Sequence, residues 1–436
     1  MRAYLDHAAT TRLDPCVLAA MVPYLDEEFG NPSSIYSLGR RSKDAIEDAR
    51  AKVATVFGSR PDEIVFTGSG TESDNLAILG VARQYRALGK HVVVSPIEHH
   101  AVLSPAKHLA KKEGFDITTL PVDVFGRVSP KDVAAALTSE TVLVSVMYAN
   151  NEVGTVEPIR EIAKTIRDFK KANGRGENEP PFFHTDACQA AGYLDLDVKK
   201  LGVDLLTVNG SKVYGPKGIG ALFVRRGVKF EPIMFGGGQE KGLRPGTENV
   251  AGIVGFAEAF QIADGGRDAE SARLSALRDR LISGILERVP KVELNGHPSE
   301  RLPNNVNLSI LDIEGEAILL YLDEAGISAA TGSACDSSSL DPSHVIVALG
   351  KPYEYAHASI RFTLGRETTE RDVDLVLERL PEVAELLRSI SPIEVKDGRG
   401  GETAGAFVAG RPHWEKPKDS RQEGNPSTPP DASVRK

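Results

Sequence analysis

Between residues 63 and 225 the chain alternates short, continuous apolar runs with segments of helical periodicity, and that alternation leaves few folds open. The runs are EIVFT (63–67), HVVVS (91–95), DITTL (116–120), TVLVSVM (141–147), FFHTD (182–186), DLLTVN (204–209) and IGALFVR (219–225). TVLVSVM is β-branched and unbroken, the pattern of a strand buried on both faces rather than one. Helical patterns fill the gaps, from Thr71 to about Leu88, after HVVVS to about Lys112, and from Pro158 to about Lys171. The last ends at the polar Gly/Pro loop ANGRGENEPP (172–181). Strands separated by helices predict a mostly parallel sheet covered on both sides.

The pattern changes after Thr247. Two long helical segments (about 248–264 and 268–289) precede the strand VNLSI (306–310), a helix at 314–325 and a closing helix at about 370–389. This predicts a larger domain over 21–260 and a smaller α+β domain over 261–393, with residues 1–20 joining the smaller one. From Glu394 the composition shifts to 6 Gly, 5 Pro, 8 basic and 7 acidic residues with almost no apolar periodicity. Residues 394–436 are therefore expected to be a disordered tail, its lone Trp414 notwithstanding.

Composition excludes several classes. At 41% hydrophobic residues the chain is not disordered as a whole, and no run approaches the roughly 18 apolar residues of a membrane helix. The opening MRAYLDHAATTRLDP lacks the apolar centre of a signal peptide. Three cysteines (Cys16, Cys188, Cys335) cannot form a disulfide framework, so a reducing cytoplasm is expected. The net charge of −9 and the lack of a basic block argue against nucleic acid as a partner.

Five segments carry candidate chemistry. SKVYGPKG (211–218) follows a strand, so Lys212 emerges at a strand's C-terminal end, where open α/β sheets bind ligands. A lysine there can condense with a carbonyl cofactor, or simply be a surface charge before a turn. HTDACQAAG (184–192) delivers Asp186 at another strand end, to face a cation such as a protonated pyridine or to cap the next helix. TGSGTESDN (67–75) puts the free N–H groups of Gly70 and Thr71 at a helix start, an anion site suited to phosphate. In that segment Glu72 and Asp74 are read as complementing the helix dipole.

SPIEHHAV (95–102) places His99 and His100 at a strand-to-helix junction, where an imidazole can stack on a planar ring and move protons. Adjacent histidines point apart and no third ligand is suitably spaced, so no metal is expected. ATGSACDSSS (330–339) surrounds Cys335 with small polar residues, the setting of an exposed and reactive loop thiol. Cys16, at a helix start, and Cys188, beside Asp186, read as structural.

Together with YLDHAATTRLDP (4–15), GNPSS (30–34), ANNEVG (149–154), RPGTENV (244–250) and SIRFTLGR (359–366), these motifs occur in one order. In that order, from about residue 3 to 390, the chain resembles the pyridoxal-phosphate-dependent cysteine desulfurases of the NifS/IscS type, within the class V aminotransferases. The resemblance implies the type I fold of pyridoxal-phosphate-dependent transferases, with a seven-stranded, mostly parallel sheet and a smaller α+β domain. It implies Lys212 as the cofactor-bearing lysine and Asp186 as partner of the pyridinium nitrogen. Gln189 would bond the ring oxygen, and His99 would stack on the ring and assist proton transfer. Gly70, Thr71, Asn209 and Ser211 would line the cofactor site, the first two and Ser211 at the phosphate, with Asn151 a cofactor- and substrate-side contact. Thr247 would reach the phosphate of a second subunit, Arg361 would clamp the substrate carboxylate, and Cys335 would be the nucleophile on its loop.

The expected activity is removal of sulfur from L-cysteine, leaving L-alanine and a persulfide on Cys335. A homodimer would pass that sulfur to an acceptor protein of iron–sulfur cluster assembly or tRNA thiolation. Cys335 would meet a cluster only in transit, and neither nucleic acid nor membrane is an expected partner. A selenocysteine lyase or another class V aminotransferase is the enzymatic alternative, although a transaminase needs no thiol in this loop. A catalytically silent scaffold is the alternative of another class, opposed by the intact Lys212, Asp186, His99, Arg361 and Cys335. The chain departs from many relatives in reading Asn209-Gly210-Ser211 where they have Ser-x-His before the lysine.

Overall fold

The computed structural model describes residues 2–331 and 342–391. The chain opens with β1 (Ala3–Tyr4), α1 (Pro15–Met21), α2 (Ser37–Val56), β2 (Ile64–Thr67), α3 (Gly70–Tyr85), β3 (His91–Val94) and α4 (His100–His108). It continues with β4 (Asp116–Thr119), α5 (Pro130–Ala136), β5 (Thr141–Ser145), α6 (Ile159–Ala172), β6 (Phe182–Asp186), α7 (Val198–Leu201), β7 (Leu205–Asn209) and β8 (Gly220–Val224). Then come α8 (Val250–Gly265), α9 (Arg267–Arg288), β9 (Val292–Leu294), β10 (Asn305–Ile310), α10 (Gly315–Glu324) and β11 (Ile327–Ser328). The last are α11 (His344–Ala348), α12 (Tyr353–His357), β12 (Ser359–Thr363) and α13 (Glu370–Ile390).

Seven strands form one sheet in the order β2-β8-β7-β6-β5-β3-β4. All neighbours pair in parallel except β8, which runs antiparallel to both β2 and β7. The continuous apolar runs are explained by burial from both sides. Successive residues of a strand face opposite layers. Phe183 accordingly joins Phe57, Ile162, Phe223, Phe256 and Phe260 under α2, α6 and α8. Phe182 joins Leu76, Val81, Val102 and Leu109 under α3 and α4. The parallel strands all point their C-terminal ends at one rim, which is where the site forms.

A second core gathers Leu274, Leu281, Val306, Leu308, Ile318, Phe362 and Leu380 between α9, α10, α13 and the antiparallel sheet β12-β10-β9. Ala3 and Leu5 belong to it, and β1 pairs in parallel with β11. The expected division placed boundaries at residues 20 and 260. Val17 of α1 packs into the large core, and α8 lies wholly in that core, so residue 260 falls inside a helix. The core changes at the α8–α9 junction, Gly265–Gly266, where the chain turns from one apolar cluster to the other. Helix α2 is not among the elements expected from the sequence. Its buried face is mostly small (Ser42, Ala45, Ala49, Ala54 around Ile46 and Val53), a stripe that periodicity registers weakly. The segment expected to be a disordered tail lies outside the described residues.

Candidate active site

Lys212 ends a single 3-10 turn (Gly210–Lys212) directly after β7. Its Nζ donates to the Ala9 carbonyl, and the Ser211 carbonyl accepts from the Thr11 N–H at 2.9 Å and the Thr11 hydroxyl at 3.0 Å. The N-terminal AATT segment thus lies against the lysine's turn from some 200 positions away. Asp186 ends β6, the neighbouring strand, and is 7% exposed. Its Oδ1 accepts the Cys188 N–H at 2.9 Å. The residues after it form turns, so Asp186 does not cap a helix.

The third segment is the start of α3. Ser69 caps it, its hydroxyl accepting from the Glu72 N–H, while the N–H groups of Gly70 and Thr71 meet no backbone acceptor among the described residues. A Cβ on Gly70 would stand 2.8 Å from Cys188 Sγ and 3.3 Å from Asn209 Nδ2. Glycine is what lets this helix start touch the exits of β6 and β7. Asn209 Oδ1 is buried there with no hydrogen-bond partner. A lysine amine, a buried aspartate, two unspent N–H groups and an orphaned amide oxygen suit a planar phosphorylated aldehyde with a basic ring nitrogen.

Asp186 has two further buried acids beside it, Asp74 at 1% exposure and Glu98 at 0%. Burial, reinforced by Asp186's charge, raises both well above the usual carboxylate range. Asp74 Oδ1 lies 3.5 Å from Nε2 of His184, whose own pKa burial pushes down to about 3. That ring is neutral, bonded to the hydroxyls of Ser145 (2.9 Å) and Thr207 (3.1 Å). Asp74 therefore does not merely complement the helix dipole, as the sequence suggested; Glu72 instead pairs with Arg244 at 3.0 Å.

His99 caps α4, its Nδ1 accepting the Ala101 N–H at 3.1 Å, which leaves the proton of the neutral ring on Nε2. Burial lowers its pKa, His100 and Lys212 add to this, and Asp186 opposes it. Burial with the Asp186 charge holds the Cys188 thiol well above its usual value, so this cysteine is inert, whereas Cys16 is exposed.

Arg361, on β12, is 3% exposed and brings the second core to the site. It pairs with Asp6 at 2.8 Å and donates to the Asn151 carbonyl at 3.0 Å, while its Nε is buried without a partner among the described residues. Gln189 Nε2 donates to the Ala8 carbonyl at 3.0 Å. Thr247 is exposed, while its neighbours Gly246 and Glu248 line a small cavity with Thr67 and Gly68. Asn249, not Thr247, caps α8, its side chain accepting the Gly252 N–H at 3.0 Å. Cys335 lies outside the described residues. Among those described, no cluster of three or more His, Cys, Asp or Glu could hold a metal, and no helix is long and apolar enough to cross a membrane.

Sequence reading missed Asp6, Asp74, Glu98, Glu152 and His184. Only His184 left a usable signal, since it lies two residues before Asp186 and so shares its face of β6.

Residues 3–376 match the family described as aminotransferase class V. The chain is 51% identical over 389 residues to the cysteine desulfurase IscS of Dictyoglomus turgidum, covering 89% of this chain and 96% of that one. It is 50% identical over 396 residues to the cysteine desulfurase IscS of Methanosarcina thermophila, covering 91% and 95%. Among solved structures it resembles a NifS-like protein with a TM-score of 0.82 at 36% identity, covering 89% of this chain and all of the other. It also resembles SspA in complex with cysteine, with a TM-score of 0.72 at 34% identity, covering 83% and 98%.

Proposed function

From a chain that belongs to the class V aminotransferases, and within them to the cysteine desulfurases of the NifS/IscS type, we infer how its own residues divide the removal of sulfur from L-cysteine. Pyridoxal phosphate, when bound, supplies a carbonyl for the substrate amine and an electron-withdrawing ring that accepts an electron pair. Lys212 would hold it covalently, and Asp186 would pair with its ring nitrogen. Gly70 and Thr71 would donate to the phosphate with Ser211, and Asn209 and Gln189 would complete the polar lining. His99 would stack on the ring and, with its proton on Nε2, assist proton transfer. Arg361 takes the substrate α-carboxylate on its unpartnered Nε edge, beside Asn151. Cys335 thiolate attacks the substrate sulfur, so L-cysteine and an enzyme thiol become L-alanine and an enzyme persulfide.

The observation that carries this reading is the convergence of Lys212, Asp186 and the unspent N–H groups of Gly70 and Thr71 at one sheet rim. Incubating the purified protein with L-cysteine alone is expected to give alanine and protein-bound sulfur in equal amounts for the first turnover. Alanine with no bound sulfur, or transamination in its place, would contradict the assignment.

The active unit is a homodimer. Leu18, Val22, Leu25, Phe29, Ile35, Tyr36 and Phe235 are exposed, Ile35 at 89% and Phe235 at 85%, an apolar burden that a second copy would cover. Thr247, exposed and free of a capping role, reaches the partner's phosphate site. Mixed dimers test this by pairing a Lys212→Ala chain with a Thr247→Trp chain, each inactive as a homodimer. A shared site gathers both lesions in one pocket and leaves the other whole, so about half of native activity returns. No recovery in exchanging or co-expressed dimers would place Thr247 within its own chain's site. The persulfide then goes to a sulfur-acceptor protein, such as an iron–sulfur scaffold or a tRNA-thiolation enzyme, in the reducing cytoplasm where thiols stay available.

A further inference from the structure

The carboxylate clamp has a neighbour that the reaction as described does not use. Glu152 follows Asn151 and is 5% exposed. Its backbone is fixed on every side, the N–H donating to Asn150 Oδ1 at 2.8 Å and the carbonyl accepting from Asn305 and Asn307 of β10, both at 3.1 Å. One carboxyl oxygen takes the hydroxyl of Ser343, the residue that caps α11. The charges that act on it come from Arg361 of β12 and His100 of α4, and behind His100 lies His344 of α11, its ring 4.8 Å away. His344 is turned toward the Glu98 carbonyl, to which its Nε2 donates at 3.0 Å. On the far side of Arg361 stands Asp6, at 2.8 Å.

Charge counting gives this arrangement a consequence. Arg361 and Asp6 cancel, leaving a neutral pair with one unspent, buried N–H at Nε. With Glu152 protonated, an incoming carboxylate meets a neutral clamp and a free donor. With Glu152 ionised, the same three groups are net negative and repel it. We propose that Glu152 is a positioning residue of the substrate-carboxylate subsite, a buried acid whose proton decides how much positive charge Arg361 offers the substrate. The proposal rests on the reading of Arg361 as the carboxylate clamp. Burial raises the Glu152 carboxyl to about 7, against the opposing pull of the Ser343 hydroxyl, Arg361 and His100, so the proton is exchanged near neutrality. Substrate affinity then falls as pH rises through that value, and substrate binding takes up a proton at Glu152.

The test uses L-alanine, which has the substrate's amine and α-carboxylate without its sulfur. Its Kd is read from the visible absorption of the bound cofactor in the native dimer, between pH 6 and 8.5. Titration of the ligand amine and of the cofactor is common to all variants and cancels in ratios. Glu152→Gln keeps the shape and removes the ionisation. Its affinity is expected to match the native protein at pH 6 and exceed it on the order of ten-fold at pH 8.5, as a like charge imposes at an effective dielectric of about 20. Ser343→Ala removes a hydroxyl that favours the anion, so the pH at which native affinity falls moves upward.

A Glu152→Gln ratio that is constant across pH would overturn the proposal and leave a purely structural glutamate. Were that variant not to fold, an unmoved midpoint in Ser343→Ala would overturn it equally. Arg361→Gln separates the two levels of the argument. If it leaves L-alanine binding intact at every pH, the clamp itself is wrong. If it weakens binding while the Glu152→Gln ratio stays flat, only the role of Glu152 falls.

Discussion

Lys212→Ala is expected to give a folded, colourless protein with no measurable sulfur release from L-cysteine, a loss of about 10³-fold or more. The purified native protein should be yellow, and the variant should lack the visible band of the lysine-bound cofactor. The fold has little at stake in this side chain. Its Nζ donates to the Ala9 carbonyl, while Thr11 still ties its own N–H and hydroxyl to the Ser211 carbonyl. Thermal unfolding of the cofactor-free proteins should therefore coincide within a few degrees. An unchanged absorption spectrum in Lys212→Ala would remove the lysine from the site, since no other amine ends a strand beside Asp186 among the described residues.

Cys335→Ser is expected to separate the two halves of the reaction. The variant should retain cofactor, and L-cysteine should still perturb its absorption, because every residue assigned to those tasks is untouched. Persulfide on the protein should vanish and alanine formation fall by about 10³-fold or more, because a serine hydroxyl is not a nucleophile at neutral pH. The other cysteines do not substitute for it. The Cys188 thiol is buried against Gly70 and held protonated by its surroundings. Cys16 is exposed, but on the first turn of α1, where its N–H is fixed to Asp14 at 2.8 Å. Mass spectrometry of the native protein after one turnover decides the matter, and sulfur found on Cys16 or Cys188 would show that the wrong thiol was chosen.

The site was legible in the sequence wherever one short segment suffices to place a residue. Lys212, Asp186, His99 and the Gly70–Thr71 pair each follow a continuous apolar run, and a run buried on both faces announces a parallel strand whose end is a ligand position. Residue types then gave the chemistry. What the sequence could not show was which of several acids would hold the charge. Asp74 looked like an ordinary first-turn carboxylate, and Glu98 like the residue before a histidine pair. Only the closed sheet brings them next to Asp186, and only burial there raises their pKa values.

The division of the chain follows the same rule. Strand and helix existence is written in the spacing of neighbouring residues, so the alternation over 63–225 determined the seven-stranded sheet and its covering layers by itself. Which core an element joins depends on surfaces far away in sequence. That is why α1, expected with the smaller domain, packs on α8 in the larger one. The carboxylate clamp is the strongest case, since Asp6 and Arg361 stand 355 positions apart and Glu152 and Ser343 stand 191 apart. No local pattern links such pairs. Their distances, and the low dielectric that makes a single proton on Glu152 matter, exist only once both cores have closed on one rim.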